Sequence, residues 1–481
     1  MKKLLLTTAL IGGIVSYSSN AYAVTDAEFE ALKAQMSVFA NQLNAMEESQ
    51  NALKAENARL KKMNAELTAQ NSAVKNEVAT MSVKVDDAYK VAEESRLAAT
   101  NNKTVDANPD FVIPGTDTTL ELGGYVKIDA IHDTNMSRDG SGEDFGLYAA
   151  IPLDGSLEDQ KGGNTRIHAR QTRLNATLKD ETDYGDLKIF VEGDFYGADG
   201  SQNTTNAASF ALRHAYGQLG DFMVGQTWSN FMDLGAYPES LDFVGVAGNT
   251  LLRQGQIRYT TTPEGSPWTY AMSIENANSA FLSNPANPGT DSGIEEFPDI
   301  VANITHKGDY GHTSVKAVGR QVEAFNSTGI AQDDEFAYAV GLSGKLNIGE
   351  KDDVRYQVAY GHGIGRYLFD LAAGSQTAGF NAATDSLETI EAVGGYASYR
   401  HLWTDSLRSN VMFGITNVID NPDFLPAATT NKNIMSAHGN LIWSLNDKVS
   451  IGGEYIYGHR ETESGAEGNL HRIQASAQYK F

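Results

Sequence analysis

The stretch RIQASAQYKF, Arg472–Phe481, decides how the chain is read. Ile473, Ala475, Ala477, Tyr479 and Phe481 fall on one side of a two-residue period, and Arg472, Gln474, Ser476, Gln478 and Lys480 on the other. Successive side chains of a β-strand point to opposite faces, so one face here is uniformly apolar and the other uniformly polar. A soluble sandwich can alternate in the same way. Two features favour a membrane barrel instead. The strand runs to an aromatic last residue, which predicts that the sheet closes there, and the upstream connections alternate between short and long.

The short connections are residues 180–186, 220–221, 263–267, 307–311, 349–353, 404–405 and 446–447. Between them lie polar stretches at about 133–165, 197–208, 229–253, 276–297, 324–334, 363–386, 419–432 and 461–469. Seven turns and eight loops delimit sixteen antiparallel strands with both ends on the short-turn side. An even strand number, short periplasmic turns and long outer loops are what an outer-membrane barrel requires. Open sheet edges cannot be satisfied in lipid, so the sheet must close. Aromatics near strand ends, among them Trp268, Tyr270, Tyr399, Trp403, Trp443, Tyr455 and Tyr479, are girdle candidates.

Ahead of this all-β region the chain reads differently. Lys2 and Lys3, the apolar run Leu4 to Val15 and the sequence NAYA ending at Ala23 have the form of a secretory signal peptide, residues 1–23. About a dozen apolar residues are too few for the roughly 20 that a spanning helix needs. Residues 24–100 contain no Gly or Pro and carry a heptad repeat. One series is Leu32, Phe39, Met46, Leu53, Leu60, Leu67, Val74 and Met81; the other includes Phe29, Met36, Leu43, Gln50, Asn57, Asn64 and Asn71. This spacing predicts an α-helical, periplasmic coiled coil between parallel copies of the chain. The polar residues at successive a positions lower its stability and leave dimer and trimer both open. Residues 101–117 are expected to link the coil to a barrel of residues 118–481.

The formal net charge is −24, and from residue 106 onward there are 25 basic and 49 acidic residues. Such a balance argues against nucleic acid as a partner. The chain has no cysteine, so disulfides contribute nothing to its stability. No His-Glu-x-x-His, Gly-x-Ser-x-Gly or Walker sequence is present, and neither a catalytic site, a metal nor a cofactor is expected. The Gly-rich GHGIGR, Gly361–Arg366, reads as the exit of a strand into a loop.

Sixteen strands enclose water, whereas about eight are filled by their own side chains. With the apolar parity of each strand directed outward, the basic residues facing inward include Arg173, Arg213, Arg258, Lys316, Arg320, Arg355, Arg400 and Arg408, with Lys127, Lys188, Lys345 and Arg472. The inward acids are fewer: Glu121, Asp129, Glu192, Asp194, Glu275 and Glu454. A lumen lined in this way selects anions, and the Arg fork suits carboxylate or phosphate. The third loop, GQTWSNFMDLGAYPESLDFVGVAG (Gly225–Gly248), mixes Phe231, Met232, Leu234, Leu241 and Phe243 with Asp233, Glu239 and Asp242. That composition predicts a segment folded into the lumen as a constriction. Its carboxylates either pair with wall arginines such as Arg213 and Arg258 or face the channel.

LRHAYGQLGDFMVGQTWSNFMDL (Leu212–Leu234), RQGQIRYTT (Arg253–Thr261), LELGGYVKIDAIHD (Leu120–Asp133) and the terminal ASAQYKF resemble the DcaP-like outer-membrane porins. A looser similarity extends to the phosphate-selective porins. The resemblance implies a homotrimer of sixteen-stranded barrels in a Gram-negative outer membrane, in contact with lipid and lipopolysaccharide. It also implies uptake of small anionic solutes, notably dicarboxylates, past an inward third loop; it pins no individual substrate-binding residue. The competing reading is a structural one: an outer-membrane anchor or cell-wall tether through the coiled coil, with weakly selective diffusion.

Overall fold

In the computed structural model of the protein, residues 111–134, 148–197, 205–278, 295–326, 332–381 and 386–481 are described, with scattered positions elsewhere. The chain divides into two units, residues 1–108 and 109–481. In the first, the described positions, Ala58–Met63 among them, are helical. The expected signal peptide, the pairing of the heptads and residues 101–110 lie outside the described residues. Among those that are described, no helix is long and apolar enough to cross a membrane.

The second unit is a closed antiparallel barrel of sixteen strands. They are β1 (Thr119–Asp133), β2 (Arg173–Thr182), β3 (Gly185–Asp194), β4 (Ala211–Leu219), β5 (Phe222–Trp228), β6 (Arg253–Thr261), β7 (Trp268–Glu275) and β8 (Asp299–Gly308). The second half comprises β9 (Gly311–Asn326), β10 (Gln332–Ile348), β11 (Asp352–His362), β12 (Glu391–Leu402), β13 (Leu407–Asp420), β14 (Asn431–Ser444), β15 (Val449–Thr462) and β16 (Glu467–Lys480). Each strand pairs with its neighbours in sequence. The ring closes where β16 meets β1, in a register running from Tyr125 opposite Lys480 to Asp133 opposite Arg472. Closure leaves the sheet without an open edge strand, which is the condition for standing in lipid. A short strand, Asn164–His168, continues the line of β2 and pairs with Asp129–Asp133 of β1. Phe111 and Val112, in the expected linker, fold back on Leu120 and Thr119.

Alternation sorts the side chains as the sequence demands. Ile473 is 61 % exposed and Val411 64 %, whereas Arg472 of the opposite parity is fully buried. The expected girdle residues Trp268, Tyr270, Tyr399, Trp403, Trp443, Tyr455 and Tyr479 are exposed as well. The inward parity is not uniformly polar, however. On β10 to β12 it carries Ala337, Ala339, Ala359 and Ala392, all buried. These small side chains leave room for two loops, the third (residues 229–252) and the sixth (residues 363–390). Phe231 of the third packs with Ile364, Tyr367, Leu368 and Leu371 of the sixth, and with Val301, Val318 and Val418 of the wall. The hydrophobic core is therefore inside the barrel.

Candidate functional site

The third loop is shaped locally by its own acids. Asp233 accepts from the backbone N–H groups of Gly235 and Ala236 and so caps the short 3-10 turn Leu234–Ala236. Asp242 does the same for Val244 and Gly245 at 2.9 and 3.0 Å. Gly248, with φ +75°, lies where a Cβ would meet the Ile415 carbonyl at 2.4 Å and the Gly395 backbone at 2.5 Å. On the wall, a Cβ at Gly414 would stand 2.0 Å from the Ala247 carbonyl. Glycine on both sides lets two backbones touch.

Anchors then hold the loop along the inward-facing side chains of β7 to β16 and β1. Asn230 N–H donates to Glu275 at 2.8 Å. Tyr396 donates to the Ala236 carbonyl and Arg355 to that of Tyr237, at 3.1 and 2.5 Å. Glu454 accepts from the Ser240 hydroxyl and the Leu241 N–H, while Lys127 donates to the Leu241 carbonyl at 2.7 Å. Ser436 accepts from Ala247 N–H at 2.9 Å, and Gln357 donates to the Gly248 carbonyl at 3.2 Å.

All three loop carboxylates are paired, two of them with wall arginines, but these are Arg408 and Arg472, and neither Arg213 nor Arg258 takes part. Asp233 Oδ2 lies 2.9 Å from His312 Nε2 and 2.7 Å from the donating Ser343 hydroxyl. Burial pushes its carboxyl up, yet those two bonds and the Lys316 charge hold it down at about 2. Glu239 forms a two-pronged pair with Arg408, at 2.8 and 2.6 Å. Burial raises its carboxyl, but Arg408, with Arg400 and Arg355 beyond, brings it below the usual range. Asp242 receives Arg472 Nη1 at 2.7 Å. Arg213 is instead held by Glu192 and Asp194 at 2.9 and 2.6 Å, and Arg258 donates to Gln256 and the Trp228 carbonyl. Arg213 is already taken by the wall acids and is faced by Phe243, while the adjacent Asp242 is bonded to Arg472.

Most of the inward wall arginines are paired with acids. Arg320 is paired with Asp299 at 3.2 Å, and Arg355 and Arg400 share Asp353 at 2.8 and 2.5 Å. Lys316 and Arg320 point inward as expected but are buried under the loops, so they are contacts between wall and loop and form no open surface. Lys316 Nζ sits 5.6 Å over the Phe231 ring and makes no hydrogen bond. Arg173 lies 3.9 Å from Glu192 and 5.4 Å over Tyr125.

On the side of the third loop facing β2 to β6 there is a cavity of about 720 Å³. Wall residues Arg173, Glu192, Arg213, Tyr216, Trp228 and Arg253 line it, together with Leu234, Tyr237 and Phe243 of the loop and Phe369 of the sixth loop. None of Asp233, Glu239 and Asp242 borders it. Arg253 stacks 5.1 Å over Trp228, and its Nη1 is buried without a hydrogen bond. Arg213 lies 5.9 Å over Trp228 and 5.8 Å over Phe243. The sequence reading missed Arg253 because it shares the parity of the exposed Ile257 and Tyr259. Its position as the first strand residue after the loop was the available signal. A bulge opposite Glu192 and Gly193 also buries both Arg213 and His214, which strict alternation would separate.

A larger hollow of about 940 Å³ lies on the outer surface, lined by Ile128, Ile167, Leu441, Trp443, Ile451 and small neighbours, with no ionisable side chain. It belongs to the outer face and is separate from the interior. Among the described residues, no three His, Cys, Asp or Glu side chains are grouped to hold a metal ion.

The family model of the DcaP outer membrane protein matches residues 46–481. A solved structure similar to this chain is the outer membrane channel DcaP of Acinetobacter baumannii. Its TM-score is 0.66 at 24 % identity, covering 78 % of this chain and all of that one. Among curated proteins, porin Omp2b of Brucella canis is 26 % identical over 258 residues, 52 % of this chain and 61 % of its own length. Porin Omp2a of Brucella ovis is 28 % identical over 252 residues, 52 % of this chain and 65 % of its own. The chain thus spans less than two thirds of the curated relatives it matches.

Proposed function

The chain belongs to the DcaP outer membrane protein family, and on that premise we propose that it is an outer-membrane porin passing small solutes with a preference for anions. In this reading the third loop narrows the passage, and solutes move through the cavity between it and β2 to β6. One observation carries the preference: Arg173, Arg213 and Arg253 meet a single lining carboxylate, Glu192, while the loop acids are held by partners on the opposite wall. A fixed positive excess in a narrow, poorly solvated passage attracts anions and repels cations. Extension to dicarboxylates rests on the family resemblance. Purified protein in planar bilayers under a KCl gradient should give a reversal potential on the chloride side, and one on the potassium side would refute the preference. Liposome swelling with mono- and dicarboxylates tests the solute class.

The loop pair offers a second measurement. Glu239→Gln removes a negative charge beside Arg408, Arg400 and Arg355 without changing shape. The chloride-to-potassium permeability ratio should rise by roughly twofold, a modest step because the group is partly exposed and screened.

Assembly as parallel copies, a trimer by the family's habit, is part of the same proposal. The heptads of residues 24–100 and the uncharged outer hollow support it. Deleting residues 24–100 and measuring mass by light scattering in detergent tests whether the coil or the barrel holds the copies together.

A further inference from the structure

The sixth loop was expected to be an ordinary outer loop, yet it carries Ile364, Tyr367, Leu368 and Leu371 into the interior, where each is buried. Glycine makes this approach possible, since a Cβ at Gly394 on β12 would stand 2.5 Å from Leu368. The loop ends this excursion in a short helix, Phe369–Ala373, which touches the returning limb of the third loop at two backbone points. Phe369 N–H donates to the Asn249 carbonyl at 3.0 Å. Gly248 N–H donates to Asp370 Oδ2 at 2.8 Å, and the same oxygen accepts the Thr416 hydroxyl of β13 at 2.8 Å. Asp370 therefore joins three parts of the chain: sixth loop, third loop and wall.

We propose that the sixth loop is a clasp on the third, with Asp370 as the residue that positions the returning limb Val244–Leu251. The placement has a consequence for passage, because Leu251 and Phe369, one on each side of the clasp, both line the cavity. That consequence rests on the reading that the third loop bounds the passage; the clasp itself does not. A carboxylate buried with two donors on one oxygen and none on the other is costly to keep unless the contact is wanted for position. Burial pushes this carboxyl up to about 6, against the Gly248 and Thr416 donors.

The test uses full-length protein in detergent and in bilayers. Asp370→Ala removes the oxygen that accepts both bonds, whereas Asp370→Asn keeps one oxygen in place. Thr416→Val removes only the wall donor and leaves a barrel strand of unchanged shape. Hydrogen exchange of peptides within residues 244–251 should speed up by about tenfold in Asp370→Ala and less in Thr416→Val, and stay near wild type in Asp370→Asn. Single-channel current noise should follow the same order. Unchanged exchange in a folded Asp370→Ala barrel would overturn the clasp, as would equal effects of Ala and Asn. Faster exchange at constant conductance and noise would uphold the clasp and refute the role of the third loop in the passage.

Discussion

With Arg253 replaced by glutamate, the channel should lose most of its preference for anions. Arg213 is bound to two carboxylates and Arg173 shares one of them, so Arg253 is the cavity cation least compensated by a neighbouring acid. An ion passing at about 8 Å in a medium as polar as water feels roughly 0.5 kcal/mol from one charge. Reversal of that charge acts oppositely on chloride and potassium, so the permeability ratio should fall by roughly fivefold after screening at 0.1 M salt. In 1 M KCl, where the Debye length is about 3 Å, most of the difference should vanish. Arg253→Met keeps a stem of similar length on Trp228 and should produce about half the change in logarithmic terms. Reversal potentials in KCl gradients measure all of this. If the Glu variant matches wild type while remaining folded, the selectivity is set elsewhere, and Arg258, which has no carboxylate partner but lies off the cavity lining, is the next residue to change.

The part of this molecule that faces lipid was legible in the sequence, and the reason is physical. Hydrocarbon forces an apolar side chain at every second wall position, so sixteen strands and their turns could be delimited by counting. The inward course of the third loop was legible in kind, because Phe231, Met232 and Leu241 have no reason to be together on a wet surface. Its partners were not. Arg472 meets Asp133 only because the last strand closes against the first, and no local pattern announces a contact across the whole barrel. His214 and Arg253 escaped for different reasons, the one turned inward by a bulge and the other set at a strand end where alternation loses force. The sixth loop carried the same compositional signal as the third, Ile364, Tyr367, Leu368, Phe369 and Leu371 in an aperiodic stretch. The facing alanines of β10 to β12 were a second signal. Read as members of a polar face, they concealed that something apolar had to cover them.

Removing the Asp242 carboxylate should release the third loop more completely than any other single change in it. Arg472 and Arg166, both buried, share Asp133, with bonds of 2.7 and 2.9 Å from Arg472 and 2.7 Å from Arg166. Asp242 supplies the second negative charge of this cluster at 2.7 Å. Asp242→Ala leaves a buried guanidinium charge uncompensated and also strips the N–H groups of Val244 and Gly245 of their acceptor. Breaking one side of a buried pair costs about 3–5 kcal/mol, and the two bonds that Asp133 keeps on Arg472 place the expectation near the lower end. Asp242→Asn retains an acceptor for the loop N–H groups and loses only the charge, so it should fall between Ala and wild type. Under the passage proposed above, Asp242→Ala should raise single-channel conductance and flicker, and lower the urea midpoint of whatever transition the loop contributes to. Salt separates this effect from that of Arg253. The Asp242 cluster is shielded from solvent, so its loss should persist at 1 M KCl, where the Arg253→Glu difference fades. An Asp242→Ala channel with wild-type conductance at both salt concentrations would mean that the loop is held by its other anchors, Glu239 on Arg408 and Asp233 on His312, and that the buried cluster serves the β16–β1 closure instead.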